Sequence, residues 1–449
     1  MPDSQHYQQA RLSRDRRFDG RFFVAVKTTG IFCRPICPAT LPLEKNVEYF
    51  ELAQQAMQQG YRPCLRCRPD SAPSSFAWQG TGTTVQRACQ LLREHHTLSI
   101  QAIAAKLGIG ERYFRQLFQQ HLGLSPKQFQ LFDQLLLAKQ LLHQSQLSIE
   151  QVAQTCGFNS ARRLQFQMKK LTQLSPSQIR QHKRAAEPGL QLNLAFRPPY
   201  NWPHMREFLR LRAIDAVEQI NDTSYARSFR LAGCHGWFSA TYQPDAHQFA
   251  VQIELSQLNA LPRVLRNIER ILDISADMQG VESSLLQAGL SPELITQGLR
   301  LPGIWDPFEA GCRAILGQQI SVKAAINLLN QLVNQLGQSD QTRRYFPLPQ
   351  DVATSALDFL KMPDSRRQTL RAFAHWCSEN DMAEVEQWLQ IKGIGPWTVA
   401  YAKMRGLSQP DIWLDSDLVI KHQLKRYALE PQLVRPWRSY LTLQLWNLA

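Results

Sequence analysis

The sequence predicts a multidomain chain, mainly α with α+β parts, and three observations carry that prediction. Four cysteines in two short-spaced pairs lie within the first 70 residues, where a small domain needs a metal to hold it. A helical pattern with a glycine turn occurs twice, at an offset of 49 to 50 residues. Beyond residue 185, alternating apolar positions give way to helical ones, and a glycine hairpin sits between stretches that read as helix. At 449 residues the chain is too long for one core, and 44% hydrophobic residues with 9% aromatics indicate globular domains. No apolar run approaches the roughly 18 residues of a membrane span. The start, Met1-Pro2-Asp3-Ser4-Gln5-His6, lacks the pattern of a signal peptide. The expectation is a cytoplasmic protein with no membrane partner, its nine cysteines reduced or bound to metal.

The charge is unevenly placed. Residues 1–184 carry 25 Lys+Arg against 11 Asp+Glu, whereas residues 185–449 carry 26 against 26. The whole excess of +14 therefore sits in the first part, as suits a region that binds a polyanion.

The first element, residues 1–72, holds Cys33, Cys37, Cys64 and Cys67 in the pattern C-x3-C, 26 residues, C-x2-C. Two such pairs can converge on one tetrahedral ion, and four thiolates suit Zn²⁺. A site that only holds the fold is the plain structural reading. The wording around the cysteines, Thr28-Thr29-Gly30-Ile31-Phe32-Cys33-Arg34-Pro35 and Arg62-Pro63-Cys64-Leu65-Arg66-Cys67, resembles the zinc domain of the Ada response proteins. That resemblance implies a small zinc-bound α/β domain that takes a methyl group from a DNA methylphosphotriester onto Cys33. It also implies that Thr29, Arg34 and Arg66 contact DNA, while Thr40 stands where relatives tend to carry a basic residue. Methylating one sulfur of a four-thiolate zinc site lowers its negative charge by one, so affinity for phosphates should rise.

Ser71 to Thr84 has the composition of a linker. The duplicated unit follows over residues 84–184: Leu98-Ser99-Ile100…Gly108 matches Leu147-Ser148-Ile149…Gly157, and Leu124-Ser125-Pro126 matches Leu174-Ser175-Pro176. Each copy reads as a short helix, a glycine turn and a second helix, the latter bearing Arg112 and Arg115 in one and Arg162 and Arg163 in the other. Such helices suit a major groove. The segment resembles the AraC-type domain, whose two helix-turn-helix units share a central helix, here Lys127 to His143.

Residues 189–300 open with the alternation Leu190-Gln191-Leu192-Asn193-Leu194, repeated at Phe249, Val251, Ile253 and Leu255. Helical stretches near Trp202–Arg212 and Leu261–Leu272 complete an α+β domain. RPPYNW and SYARSF resemble the N-terminal, TBP-like domain of AlkA-type 3-methyladenine glycosylases.

Residues 301–449 read as all-α. Asp306, Pro307 and Glu309 spell a helix start with a capping box, and that helix reads on through Val322. A second runs from Val322 to Leu336, with Gly337 stopping it. Gly393-Ile394-Gly395 offers backbone that can take φ > 0 and approach a phosphate closely. With Trp397, Tyr401, Asp417 and Trp437-Arg438-Ser439-Tyr440…Trp446, it resembles the helix-hairpin-helix DNA glycosylases of the AlkA type. The resemblance implies that a flipped alkylated base of the 3-methyladenine or 7-methylguanine type stacks on Trp397, Tyr401 and Trp446. Asp417, rather than Asp415, would stabilise the oxocarbenium-like sugar. Gly393 and Gly395 would hold phosphate and Gln319 would fill the gap in the stack. Carbonyls of Leu389, Ile391 and Ile394 would hold a monovalent cation. Lys392 replaces the usual hairpin proline. Relatives that also cut the strand carry lysine where this chain has Trp397, so the expected glycosylase is monofunctional and uses water. No cysteine follows Cys377, which excludes the iron–sulfur cluster of some relatives.

The expected whole is an alkylation sensor, transcriptional activator and base-excising enzyme acting as a monomer, with damaged and promoter double-stranded DNA and RNA polymerase as partners. The alternative is a transcription regulator whose glycosylase half is inactive.

Overall fold

The computed structural model describes residues 4–14, 22–37, 39–50, 55–56, 59–64, 67, 69, 81–94, 98–180, 190–231, 233–340 and 343–449. Packing divides the chain into two units, Met1–Leu136 and Leu137–Ala449. No described helix is long and apolar enough to cross a membrane.

In the first unit, α1 (Ser4–Leu12) precedes β1 (Phe23–Val26), β2 (Ile31–Cys33), β3 (Val47–Phe50) and β4 (Arg62–Pro63). They form a sheet of order β3-β1-β2-β4. Its alternation is clean: Phe23, Ala25 and Phe32 join one cluster, Phe22 and Val24 another with Ala10 of α1. Parallel pairing of β2 with β4 sets Phe32 beside Pro63, so Cys33 and Cys64 leave the sheet as neighbours. After this sheet, α2 (Thr81–Glu94) packs Val85, Ala88 and Leu92 onto Ile103, Phe114, Leu117 and Phe118. The residues expected as linker up to Thr84 are thus helical from Thr81, because the apolar positions of α2 draw the helix into that core. Residues 71–80 lie outside the described residues. The apolar partners of α2 belong to α3 (Ile100–Lys106) and α4 (Glu111–Leu122). The long α5 (Pro126–Gln144) follows, close to its expected bounds, and its residues from Leu137 onward belong to the second unit.

In the second unit, α6 (Ile149–Thr155), α7 (Ala161–Thr172) and α8 (Pro176–Ile179) start at serine caps, Ser148, Ser160 and Ser175. An antiparallel sheet follows: β5 (Leu190–Ala195), β6 (Glu218–Ile220), β7 (Ser224–Leu231), β8 (Cys234–Gln243) and β9 (Gln248–Leu255), in the order β5-β9-β8-β7-β6. Sequence alternation gives β5 and β9. It hides β7, whose first six residues are all buried, Arg227 among them. Helices α9 (Trp202–Arg210) and α10 (Leu261–Ile271) accompany the sheet.

The remaining helices are α11 (Met278–Gln287), α12 (Pro307–Leu316), α13 (Val322–Leu336), α14 (Pro349–Thr354), α15 (Asp364–Glu379), α16 (Pro396–Tyr401), α17 (Leu418–Arg426) and α18 (Arg438–Asn447). One core joins α12, α13 and α15 with the hairpin residues Ile391 and Ile394. A second joins Met278, Val281 and Leu285 of α11 with Ile420, Tyr440 and Leu441. A division at residue 300 therefore runs through this second core.

Two local expectations change. The helix begun at Pro307 ends at Leu316 rather than running to Val322, since Gly317 closes it and Ser321 caps α13 by accepting the Ala324 N–H. Asp306 does cap α12, but Glu309 does not close a box. Its carboxylate instead takes Arg227 at 2.7 Å and Arg313 at 2.8 Å, while Arg313 also reaches Glu218 at 2.6 Å. These buried charges are mutually paired, which lets β6 and β7 sit against α12 without a stranded ion.

Candidate functional site

The hairpin is built from its buried ends. The fully buried Trp388, with Ile391 and Ile394, anchors it in the core, and the Thr369 hydroxyl donates to the Lys392 carbonyl at 3.0 Å. Gly393 has φ +93°, and a β-carbon there would lie 2.1 Å from the Thr369 hydroxyl, so only glycine fits. The expectation of a glycine pair sharing that freedom holds for one residue. Gly395 is extended, φ −107°, caps α16 without a side chain, and faces open space. Lys392 is exposed, and the Ile391 carbonyl, expected to face a cation, accepts the Ile394 N–H at 3.0 Å. The side chain of Gln318 donates to the Gly393 carbonyl at 3.2 Å. This ties the hairpin to the loop on which Gln319 stands exposed with φ +58°.

Asp417 is the N-cap of α17, its Oδ1 accepting from the N–H groups of Val419 and Ile420 at 3.0 and 3.2 Å. Two indoles complete its shell: Trp397 Nε1 donates to Oδ2 at 3.0 Å and Trp446 Nε1 to Oδ1 at 3.3 Å. Trp397 also stacks on Tyr401, rings 5.2 Å apart and 19° from parallel. Residues far apart in sequence thus meet around one carboxylate, and Asp417, Trp397, Tyr401 and Trp446 are all half-buried. Asp415 is exposed. The loop before Asp417 is clamped from α18. Arg438 holds Asp411 through two bonds of 2.6 and 2.9 Å, and the buried Ser439 hydroxyl donates to Gln409 O and accepts from Ile412 N. Sequence reasoning assigned the two tryptophans as stacking surfaces only, and it missed Arg438, Ser439, Gln318 and Thr369 as supports. The run WRSY contains the clamp, but nothing in it names Asp411 as its partner.

In the first unit, the Sγ atoms of Cys33, Cys37, Cys64 and Cys67 all lie within 4.8 Å of one another. Sulfurs around a tetrahedral zinc at 2.3 Å stand roughly 3.8 Å apart, so the set fits that ion. Their chemistry fits as well. Hydrogen bonding to Cys37 and Cys67, then burial, pushes the Cys33 thiol far up, whereas the thiols donating to Cys37 draw it down to about 2. Four sulfurs this close suit a dication, which would hold them all as thiolates. Cys33 is half-buried and reachable, while Cys37 and Cys67 are buried. Arg34 does not present itself as expected for a DNA contact. It is only 6% exposed, its N–H donating to Cys67 Sγ at 3.3 Å and its guanidinium to the Cys67 carbonyl at 3.4 Å, so it braces the sulfurs. Thr29 lies exposed on the turn between β1 and β2. Arg66 lies outside the described residues.

Helices α4 and α7 repeat one surface. Phe114, Leu117 and Phe118 are buried in the first, and Leu164, Gln167 and Met168 at an offset of 50 in the second. Arg112 and Arg115 are exposed on α4 and Arg162 and Arg163 on α7. Arg115 pairs with Glu111 one turn back, and the Arg163 guanidinium lies 5.8 Å over the Phe166 ring.

Three family models match parts of the chain: the metal binding domain of Ada over residues 6–70, a helix-turn-helix domain over 103–182 and the AlkA N-terminal domain over 191–306. The probable bifunctional transcriptional activator/DNA repair enzyme AlkA of Mycobacterium tuberculosis is 30% identical over 99% of this chain and 96% of its own. DNA-3-methyladenine glycosylase 2 of Escherichia coli is 33% identical over 56% of this chain and 95% of its own. The bifunctional transcriptional activator/DNA repair enzyme Ada of Escherichia coli is 37% identical over 29% of this chain and 36% of its own.

Proposed function

The chain belongs to the family of bifunctional transcriptional activator/DNA repair enzymes AlkA, and from that premise we propose the chemistry of its two sites. It is an alkylation-damage response protein that binds DNA, excises alkylated bases and accepts methyl groups. The excision is a hydrolysis, and Asp417 is the residue that performs it. A base alkylated at a ring nitrogen is cationic and already a good leaving group, so the protein need only receive it and steady the sugar. The flipped base stacks on the Trp397–Tyr401 pair, with Trp446 as a further wall. The bond from C1′ to the base nitrogen breaks, its electron pair leaves with the base, and positive charge grows on the sugar. The carboxylate of Asp417 stabilises that charge, water adds at C1′ from solvent, and one of its protons passes to Asp417 and on to solvent, leaving a C1′ hydroxyl. The indoles at 3.0 and 3.3 Å hold the carboxylate in one orientation. Trp397 stands where a strand-cutting relative carries lysine, so no Schiff base forms and the enzyme is monofunctional.

The carrying observation is a carboxylate fixed between two indoles beside a stacked aromatic pair. The test is base release from methylated duplex DNA by wild type and Asp417→Asn. Asparagine can still accept the capping N–H bonds, so folding is kept while release falls by about 10² to 10³. An asparagine variant as fast as wild type ends the assignment.

At the first site, Cys37, Cys64 and Cys67 hold zinc with Cys33, and the ion when bound keeps the sulfurs as thiolates. Cys33 Sγ attacks the methyl carbon of a methylphosphotriester. The methyl–oxygen bond breaks, and the phosphodiester leaves as its anion. Arg34 acts here by bracing Cys67, and Thr29 offers an exposed hydroxyl to the backbone. The exposed arginines of α4 and α7 read promoter DNA, and RNA polymerase is the partner of the activator.

A further inference from the structure

Helix α17 starts at Asp417 and divides cleanly. At about 100° per residue, Lys421, Lys425, Leu418, His422 and Arg426 fall on one arc of about 140°. All five are exposed, while Ile420 and Gln423 are buried on the opposite side. No acidic residue occurs from Leu418 to Leu429. Two other cations near the site are neutralised, Lys403 by Glu386 at 2.5 Å and Arg438 by Asp411 at 2.6 Å. Among the described residues, no carboxylate forms an ion pair with Lys421, Lys425 or Arg426. Among the described residues, these three cations on nine residues lack a carboxylate partner, Arg426 lying 5.5 Å over the Tyr427 ring, in a half whose formal charges cancel, 26 against 26.

We propose that this face of α17 is a phosphate-binding ridge that holds the damaged strand beside the flipped nucleotide, with Lys421 and Lys425 as its principal contacts. The helix fixes the spacing. The Cα atoms of Lys421 and Lys425 lie about 6 and 12 Å along the axis from Asp417. One strand advances about 3.4 Å per phosphate along the duplex axis, so the ridge follows about three nucleotides from the pocket. Leu418, 81% exposed, is the ridge's first side chain beyond the carboxylate and meets the sugar at the edge of the lesion. The plain alternative is a solvated face that keeps the protein soluble. Such a face would be indifferent to which strand lies beside it and would contribute nothing to the salt dependence of repair.

The proposal rests on Asp417 as the catalytic carboxylate, and the test keeps the two separable. Full-length protein loaded with zinc is assayed for base release and for binding on one methylated duplex across a salt series. Wild type, Lys421→Gln/Lys425→Gln and Lys421→Arg/Lys425→Arg are compared. Phosphate contacts accept arginine, so the arginine pair should match wild type. The glutamine pair should raise KM and flatten the slope of log(kcat/KM) against log[salt] by about two, one for each phosphate lost. The same flattening should appear in binding, where contributions from other DNA-binding parts cancel in the difference. Equal binding slopes for wild type and the glutamine pair overturn the ridge. A wild type that binds but releases no base overturns the catalytic reading instead, and the binding slopes still judge the ridge.

Discussion

The role proposed for Asp417 requires a carboxylate that stays where it is while charge develops, and Asp417 is held from three directions: its own helix, Trp397 and Trp446. The two indoles therefore do more than stack. Replacing Trp446 by phenylalanine keeps a six-membered aromatic ring and removes the five-membered ring that carries the donor at 3.3 Å. A hydrogen bond to a charged group contributes about 1.5 kcal/mol or more, so the melting temperature should fall by a few degrees, and single-turnover base release should fall by about tenfold as the carboxylate loses its orientation. Loss of release no greater than that of an unrelated surface variant would show that the N–H is idle. This second duty was illegible in the sequence, where the tryptophans stand 20 and 29 residues from the aspartate. Chemistry-bearing residue types were legible, because a lone carboxylate after a glycine hairpin and four paired cysteines each imply a site. Whether a charged side chain faces water was not. The resemblance of TTGIFCRP assigns Arg34 to DNA, yet its guanidinium is buried against Cys67.

At the scale of the element, the two hairpin glycines serve different ends, and alanine should tell them apart. At Gly393 an added β-carbon meets the Thr369 hydroxyl at 2.1 Å on backbone with φ +93°. Gly393→Ala should therefore cost about 1–3 kcal/mol of stability, seen as a lower melting temperature, and should displace the carbonyl that Gln318 holds. At Gly395 the backbone is extended and the space open. Gly395→Ala should melt like wild type yet bind duplex DNA more weakly, because its methyl occupies the path of the incoming phosphate. Equal binding by Gly395→Ala and wild type would mean that no phosphate comes this close. Elements with a single periodicity were legible: α13 spans Val322–Leu336 as its spacing predicts. The extent of α12 was not. Gly317 and Ser321 end one helix and start another, but apolar residues continue across them, and only the loop between explains why Gln319 can reach out. β7 was hidden for a physical reason too, since ion pairs allow Arg227 to be buried where alternation expects an apolar residue.

Across the second unit, the helix-turn-helix region and the repair region meet through two glutamines one turn apart on α5. β5 is an edge strand, so the outward N–H and C=O of Asn193 have no strand to pair with. Gln144 Oε1 accepts that N–H at 2.9 Å, and Gln140 Nε2 donates to that carbonyl at 3.4 Å. The pair thus imitates one rung of a missing strand, and it makes the helix that leads into α6 and α7 a cover for the sheet of the repair region. A chain whose domains were merely tethered would leave the Asn193 amide to water, where it would exchange as fast as any exposed edge group. The joint predicts protection instead. In hydrogen exchange resolved to single amides, Asn193 should be protected in wild type. In Gln144→Ala it should exchange about fivefold or more faster, the factor expected for a bond of about 1 kcal/mol. Leu192 and Leu194, whose amides face β9 across an unbroken ladder, should keep their rates and so exclude general loosening of the strand. If Asn193 exchanges equally fast in both proteins, the two regions are not joined here, and reading helix and repair site move independently. If only the variant is fast, α7 and Asp417, the proposed DNA-reading helix and lesion site, belong to one body, and whatever orders the joint on binding at one is already in place for the other.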